Sequence, residues 1–368
     1  MADSFPRHGA DHTLLFLVIA LTLFGLLMVA SASSVIAERF HDDAYFFVKH
    51  QIFFGGTVGL FLFLLGYFMP YRAWRPLALP AMLISLGLLV LVFVPGLQVA
   101  YGGASRWIGF GPFTIQPSEI TKLAFILYLA ALLEKKGDEV RNFAVGIVPF
   151  LALSGIIGFL IILQPDLGTL FSIAVIAFAM IFVAGIRWTH LTVLAFGGLS
   201  FFVLFLNTAR YRLNRIIVYL HPELDPQGIG YQINQALLAV GTGGLWGLGL
   251  GRSRQKYQYL PEPAGDSIFA IVAEELGLVR TGILLVSFTV LGWRGYRIAR
   301  QAPDVFGRLL ACGITTWLLA QAFINIGSIM GLAPLTGIPL PFISYGGSSL
   351  AMALLASGVL LNISKYGT

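Results

Sequence analysis

The chain has 368 residues, of which 57% are hydrophobic and only 11% are charged. Soluble domains carry about 25% charged residues, so 23 basic and 17 acidic side chains are too few to cover a water-soluble enzyme of this length. The hydrophobic content also excludes a disordered chain, and the basic residues do not gather on one domain as in a nucleic-acid-binding protein. The single cysteine, Cys312, excludes an internal disulfide and a cysteine-based metal cluster. These numbers favour a polytopic membrane protein.

A helix needs about 20 mostly apolar residues to cross the hydrocarbon core of a bilayer. Ten segments meet this requirement, which predicts an all-α integral membrane protein with ten transmembrane helices. We expect the first segment to be a retained helix, because it is too long for a signal peptide and lacks a small-residue cleavage site after it. The predicted spans are 13–37, 44–69, 76–96, 117–134, 142–163, 167–186, 188–207, 270–293, 306–331 and 341–364.

The orientation follows from the basic residues in the short loops, since cytoplasmic loops are enriched in Lys and Arg. With a cytoplasmic N-terminus, the outer connections before 208–269 contain only Arg39 and Arg106. The six basic residues of 208–269 are set aside, because loops of that length report topology poorly. We therefore expect both termini to be cytoplasmic. The inner loops then contain Arg7, Arg72, Arg75, Lys135, Lys136, Arg141, Arg187, Arg294, Arg297, Arg300, Arg308 and Lys365.

Two connections are long, 97–116 and 208–269, and both are predicted to lie outside the membrane. Loops of the second length are usually functional or disordered. The second connection, between spans 7 and 8, contains aromatic residues and an amphipathic stretch at Tyr231–Val240. We expect it to be ordered on the outer membrane surface, as part of a single membrane domain covering residues 1–368.

Several charged residues lie in or beside predicted spans, where an unpaired charge is costly. Glu119 and Lys122 are three residues apart and could pair within one helix, or Lys122 could pair with Asp166 across helices. Asp166 is also a natural N-cap. Glu274 and Glu275 begin span 8, and Arg280 could pair with Glu275 or reach outward. Together these charges predict a shared polar cavity near the outer side.

The long connection contains further polar features with two interpretations each. Arg212 and Arg215 suit phosphate recognition or contact with lipid headgroups. The glycine-rich run 241–251 lacks the residues of a P-loop and could be a flexible or a closely packed turn. Asp266 precedes a helical pattern, so it could be an N-cap, a functional carboxylate or both.

Many short motifs in order resemble those of the SEDS family of peptidoglycan polymerases. The resemblance covers nearly the whole chain, and the run 251–256 is more similar to the FtsW branch than to the RodA branch. Where many members have His-Thr before the aspartate, this chain has Ala264 and Gly265, so a helper histidine is absent. The matching stretches are Ser105–Ile108, Gln116–Glu119 with Lys122, Gln164–Thr169, Arg212 with Arg215, Gly230–Gln232, Tyr259–Glu262, Asp266 with Ile268–Ala270, Glu274–Gly277, Asn325–Gly327 and Pro339–Ser348.

The resemblance implies glycosyl transfer between lipid II molecules at the outer face of the bacterial cytoplasmic membrane. It implies Asp266 as the catalytic base and a class B penicillin-binding protein, a transpeptidase, as partner. It leaves open a divalent cation, Mg²⁺ or Mn²⁺, since no metal-ligand spacing demands one. The expected substrate-binding residues are Arg106, Trp107, Lys122, Arg212, Arg215, Lys256 and Glu262, and the expected cavity charges are Glu119, Asp166 and Glu274.

Two other functions fit ten spans with buried charges. A lipid II flippase would need polar residues through the depth of the bundle, whereas the charges of this sequence concentrate near the outer side. A non-catalytic scaffold for a penicillin-binding protein would not need Asp266, Arg212 and Arg215 together. Both alternatives remain open at the level of sequence.

Overall fold

The computed structural model describes residues 9–101, 104–111, 113–207, 210–221, 224–225 and 227–367. These residues form thirteen α-helices and one small sheet, so the predicted all-α class is confirmed. A π-helical turn, Gln51–Thr57, joins α2 to α3. The helices are α1 (His12–His41), α2 (Phe46–His50), α3 (Val58–Phe68), α4 (Trp74–Leu91), α5 (Pro117–Lys136), α6 (Val148–Leu163), α7 (Leu167–Val183), α8 (Trp188–Leu206), α9 (Arg210–Leu220), α10 (Ile229–Gly243), α11 (Ile268–Gln301), α12 (Val305–Ile329) and α13 (Gly347–Ser364).

Each predicted span overlaps a helix, and the second overlaps the continuous helix Phe46–Phe68. The last predicted span, 341–364, begins too early, since its helix begins at Gly347. Within the described residues, five helices are long and apolar enough to cross a membrane, judged by length and composition. Helices α6 and α7 are apolar but shorter. The count of ten spans therefore stays a prediction. The five helices are His12–His41, Phe46–Phe68, Tyr71–Leu91, Val305–Ile329 and Gly347–Ser364.

The centre of the bundle is built from α12 and α13, whose side chains are buried along most of their length. The peripheral helices α1 and α3 instead expose large apolar side chains such as Phe16 and Phe61. Helix α3 packs closely on α13 through glycines, because a Cβ atom at Gly358 would lie 2.3 Å from the carbonyl oxygen of Phe63. Small residues at such contacts are typical of helix packing in membranes.

Aspartate side chains begin three helices by accepting backbone hydrogen bonds that the first turn leaves unpaired. Asp11 accepts from Leu14 N at 2.9 Å, and Asp304 accepts from Gly307 N at 2.7 Å. Asp11 also pairs with Arg294 of α11. The third is Asp166, so its predicted N-cap is confirmed. These aspartates fix helix ends that the span pattern alone leaves undefined.

A three-stranded antiparallel sheet fills the connection 97–116, which the sequence interpretation left without regular structure. Its strands are β1 (Gln98–Tyr101), β2 (Ala104–Phe110) and β3 (Phe113–Ile115). Such short strands carry little periodic signal, and the pairing shifts register between Val99 and Ala100. The sheet matters for the site because β2 carries Arg106 and Trp107.

The long connection 208–269 was expected to be ordered. Its described residues include the helices α9 and α10, in agreement with this expectation. Helix α10 includes the amphipathic stretch Tyr231–Val240. The glycine-rich run that follows is a closely packed turn. A Cβ atom at Gly247 would lie 2.2 Å from the carbonyl oxygen of Glu275.

Helix α11 is interrupted at Gly277, which has φ 73° and ψ 175°. The glycine-rich turn supplies the hydrogen bonds that the interruption removes. The carbonyl oxygens of Glu274 and Glu275 accept from turn amides, and two helix amides beyond the break donate to turn carbonyls. These four bonds are Leu248 N to Glu274 O (3.0 Å), Gly249 N to Glu275 O (3.0 Å), Leu278 N to Gly244 O (2.9 Å) and Val279 N to Leu245 O (3.2 Å).

Replacing Gly277 with alanine should destabilise the protein, because its backbone conformation is nearly restricted to glycine and strain of this kind costs roughly 1–3 kcal/mol. The new Cβ atom would also lie 2.2 Å from the backbone nitrogen of Gly247. Thermal unfolding in detergent measures the effect. Gly282→Ala is the matched control in the same helix, with no atom within 4 Å of its Cβ position, and it should be neutral or stabilising by about 0.4–1 kcal/mol. Equal melting temperatures for the two variants would contradict the packed-turn interpretation.

Candidate active site

Asp266 lies in the loop immediately before α11, whose N-cap is Ser267. Its carboxylate is partly buried and receives a long hydrogen bond of 3.4 Å from Ser267 Oγ. Burial, and to a smaller extent the negative charge of Glu262, raises the pKa of the Asp266 carboxyl from 3.8 to about 6. Because the N-cap of α11 is Ser267, the N-cap interpretation of Asp266 is wrong. With its raised pKa, the Asp266 carboxylate is better suited than an ordinary aspartate to accept a proton near neutral pH.

Gly337 lies between this carboxylate and Arg106. A Cβ atom at Gly337 would be 3.7 Å from Asp266 Oδ2 and 3.8 Å from Arg106 Nη1. Gly337 has φ 68°, a conformation that favours glycine. The absence of a side chain here leaves space between an acidic and a basic group.

Arg106 connects the sheet to the junction between α6 and α7. Its Nε donates to the carbonyl oxygen of Gln164 at 3.3 Å, and Nη2 donates to that of Pro165 at 2.5 Å. Its Nη1 lies 3.8 Å from Asp166 Oδ1. Asp166 also accepts from the backbone and hydroxyl of Thr169. The structure thus brings together the predicted residues Arg106, Asp166 and Asp266.

Lys122 and Glu119 form a fully buried pair within α5, with 2.8 Å between Lys122 Nζ and Glu119 Oε1. Lys122 Nζ also donates to Gln321 Oε1 at 2.5 Å and lies 5.1 Å from the centre of the Trp317 ring. The intrahelical alternative of the sequence interpretation is confirmed, and pairing of Lys122 with Asp166 is not found. Because Lys122 is 0% exposed, this arrangement does not support its predicted contact with a diphosphate.

Glu274 and Lys256 bind the end of the glycine-rich turn and the residues that follow it. Glu274 accepts from Ser253 Oγ and from the backbone nitrogen of Arg254 at 3.1 Å. Lys256 Nζ donates to the carbonyl oxygen of Gly251 at 2.6 Å and lies 3.6 Å from Glu275 Oε1. Their predicted cavity and substrate-binding roles are therefore not supported by these contacts. These local contacts supply hydrogen-bond partners for both side chains.

The remaining predicted residues fall on two elements. Arg215 of α9 donates from Nη1 to the carbonyl oxygen of Leu335 at 3.4 Å, so it approaches the segment that contains Gly337. The side chain of Arg212 lies outside the described residues. Trp107 is partly buried on β2 directly after Arg106. The pairing with β1 passes from Trp107 to Ser105 and skips Arg106, so the regular alternation of faces does not hold at this point.

Arg280, for which the sequence allowed a pair with Glu275 or an outward orientation, is exposed and contacts the glycine-rich turn. Its Nη1 donates to the carbonyl oxygen of Trp246 at 3.3 Å, beside the interruption of α11. Glu275 accepts instead from Ser31 of α1 and from the backbone nitrogen of Ser253. Arg280 therefore stabilises the glycine-rich turn from the far side of the break.

An apolar groove of about 710 Å³ runs between α4 and α6. Its lining includes Gly87 and Gly155, and no atom lies within 4 Å of a Cβ position at either glycine. Gln164, one turn beyond the lining residue Leu160, donates from Nε2 to the carbonyl oxygen of Leu89 at 3.0 Å. Because the carbonyl oxygen of Gln164 is bound by Arg106, this end of the groove adjoins the polar site.

Known proteins similar to this chain belong to the same family that the sequence motifs indicate. The sequence profile of the FtsW/RodA/SpoVE family, described as cell cycle proteins, matches residues 11–368. The chain is 48% identical to stage V sporulation protein E of Bacillus subtilis, over 98% of both chains. It is 44% identical to the probable peptidoglycan glycosyltransferase FtsW of Geobacter metallireducens, over 96% of this chain and 94% of that protein.

Two solved structures are similar over nearly their whole length. One is a peptidoglycan synthase complex that coordinates polymerization and crosslinking, with a TM-score of 0.80, 30% identity, and coverage of 96% of this chain and 97% of that chain. The other is the rod shape determining protein RodA of Thermus thermophilus, with a TM-score of 0.70, 30% identity and 98% coverage of both chains. The same family is the SEDS family that the sequence motifs indicate. The chain is a multi-pass membrane protein that belongs to this FtsW/RodA/SpoVE family.

Proposed function

We propose that this protein is a peptidoglycan glycosyltransferase that joins lipid II molecules into β-1,4 glycan strands. The observation that carries the proposal is the Asp266 carboxylate, partly buried with a raised pKa, separated from Arg106 by the bare backbone of Gly337. The name of the FtsW relative supports the same reaction. The site has a base, a cation and space between them.

The chemistry is an inverting displacement. Asp266 accepts the proton of the acceptor 4-hydroxyl while that oxygen attacks the anomeric carbon of the donor. The bond between the anomeric carbon and the diphosphate oxygen breaks, and its electron pair stays with the diphosphate. The α-linkage becomes a β-linkage. Asp266 supplies general base catalysis, and the enclosing loops align the two sugars.

The departing diphosphate needs positive charge near it, because its negative charge grows as the bond breaks. Arg106 and Arg215 are the described cations beside the Gly337 segment, and the resemblance adds Arg212. Guanidinium groups suit phosphate oxygens because they donate two parallel hydrogen bonds. Lys122 and Lys256 are left out because both are buried and paired.

A divalent cation is not assigned to a site. Among the described residues, no group of three His, Cys, Asp or Glu side chains could hold a metal ion. Glu262 and Asp266 supply two carboxylates near each other. No step of the mechanism is therefore routed through a metal.

The apolar groove between α4 and α6 suits the polyprenyl chain of lipid II. Its lining is hydrocarbon, and its end at Gln164 adjoins Arg106. A chain in the groove would leave its diphosphate at the polar site. We further propose ten spans in a single membrane domain, with both termini cytoplasmic, the site on the outer face, and a class B penicillin-binding protein as partner, in line with the synthase complex of similar fold.

Asp266→Asn should abolish glycan synthesis while leaving folding and membrane insertion intact, because the amide cannot accept the proton. The protein is purified with and without its partner transpeptidase, given lipid II and Mg²⁺ or Mn²⁺, and assayed for strands on a gel. Strands from wild type alone support Asp266 as the base. Strands from both would remove Asp266 from this role, and strands from neither, with folded protein and partner, would favour the flippase or scaffold.

The polymerisation rate should rise with pH through a midpoint near 6, because Asp266 acts only when deprotonated and its pKa is about 6. At pH 5 the rate should be about one-tenth of its plateau, as expected for a base one unit below its pKa. Glu262→Gln should move the midpoint to lower pH, because the Glu262 charge raises the pKa of Asp266. Initial rates from pH 5 to 8 measure both, and an unchanged midpoint would contradict the coupling.

Gly155→Leu should fill the groove between α4 and α6 and raise KM for lipid II roughly tenfold. We expect the leucine to displace two methylenes of the prenyl chain from the groove, and each buried methylene contributes about 0.8 kcal/mol. A lipid II analogue with a short prenyl chain should be much less affected. Gly197→Leu is the matched control, because Gly197 of α8 is exposed with no atom within 4 Å of its Cβ position. Equal KM values for the two variants would exclude the groove.

A further inference from the structure

The segment 333–341 between α12 and α13 has irregular backbone. Irregular backbone buried within a membrane bundle needs hydrogen-bond partners from the protein. Two amide side chains of α12 supply them. Gln321 Nε2 donates to the carbonyl oxygen of Pro339 at 2.9 Å, and Asn325 Nδ2 donates to that of Ile338 at 2.8 Å. The two amides are four residues apart, so they lie one above the other on the same face of α12.

The orientation of each amide is fixed by its neighbours. Gln321 Oε1 accepts from Lys122 Nζ and from Trp317 Nε1, so the amino group must face Pro339. The amino group of Asn325 faces two carbonyl oxygens, and reversing the amide would place oxygen against oxygen. Asn325 is 1% exposed, so water does not compete for these bonds.

The second carbonyl oxygen that Asn325 binds belongs to Asp266. Three consecutive carbonyl oxygens of the loop before α11 accept hydrogen bonds from residues outside the loop. These bonds fix the backbone that carries the Asp266 carboxylate. The three bonds run from Tyr345 N to Ala264 O (2.8 Å), from Ser344 Oγ to Gly265 O (2.7 Å) and from Asn325 Nδ2 to Asp266 O (2.7 Å).

We propose that Asn325 is the positioning residue of Asp266. Its amide joins the backbone of Asp266 to that of Ile338, next to Gly337, and so sets where the carboxylate meets the acceptor hydroxyl. This proposal rests on the proposed function, in which Asp266 is the base. The hydrogen bonds of Asn325 go to the carbonyl oxygens of Asp266 and Ile338, so it acts through the backbone.

The proposal predicts a change in the pH profile as well as in rate. The charged groups around Asp266 are Glu262 on its own loop, Arg106 on β2 with its partner Asp166, and Arg215 against the Gly337 segment. Burial is the main cause of the raised pKa of Asp266. Releasing the loop admits water, so the pKa should fall towards its ordinary value.

The test compares Asn325→Leu with Asn362→Leu in the full-length protein. Asn362 is an equally buried asparagine at another site, where it binds the backbone of Tyr67 and Tyr71. Both variants lose two hydrogen bonds and should lose similar stability. Asn325→Leu should lower kcat about 100-fold, since misplacing a catalytic group by about 1 Å can cost this much. Its KM for lipid II should stay unchanged, and its acidic midpoint should move to lower pH.

Ser344→Ala covers the case in which Asn325→Leu does not fold, because it removes one neighbouring bond to the same loop. It should lower kcat roughly tenfold and move the midpoint in the same direction. Equal losses of activity in Asn325→Leu and Asn362→Leu, with unchanged pH profiles, would overturn the proposal. In that case an inactive Asp266→Asn would leave the proposed function standing. An active Asp266→Asn would overturn both.

Discussion

The structure depends on one constraint, that backbone groups buried inside a membrane bundle must find hydrogen-bond partners within the protein. Regular helices satisfy it along their own length, so the chain leaves helical structure only where other groups take over. The segment 333–341 is such a place, and the amides of Gln321 and Asn325 bind its carbonyl oxygens. The polar residues of α12 are therefore part of the backbone architecture of the site.

The same constraint explains the interruption of α11. Gly277 breaks the helix, and the glycine-rich turn restores four backbone hydrogen bonds across the break. The side chains of Glu274 and Glu275 both bind Ser253, just after the turn. The loop that carries Asp266 follows this turn in the chain, and Asn325 joins the loop to the 333–341 segment. Such rigidity is what a base needs to keep a fixed distance to its substrate.

The sequence predicts the helices, the N-cap at Asp166 and the ordered long connection, because hydropathy and capping are local properties. It does not predict which buried charges pair across helices. The sequence allowed Lys122 to pair with Glu119 or with Asp166. Only the fold shows that Lys122 pairs with Glu119 and that Arg106 pairs with Asp166. The amides of Gln321 and Asn325 carried a local signal, two polar residues one turn apart in an apolar span, but their partners are distant in sequence.

Hydrogen-bond saturation separates the structural carboxylates from the catalytic candidate. Glu274 accepts from a hydroxyl and from backbone amides, and Asp166 accepts from Thr169 and faces Arg106. These donors occupy carboxylate oxygens of both residues, which gives the two side chains structural roles. Asp266 receives a long bond of 3.4 Å from Ser267, and burial raises its pKa. A carboxylate whose backbone is held from outside its loop and whose pKa is raised by burial is placed to take a proton from a substrate.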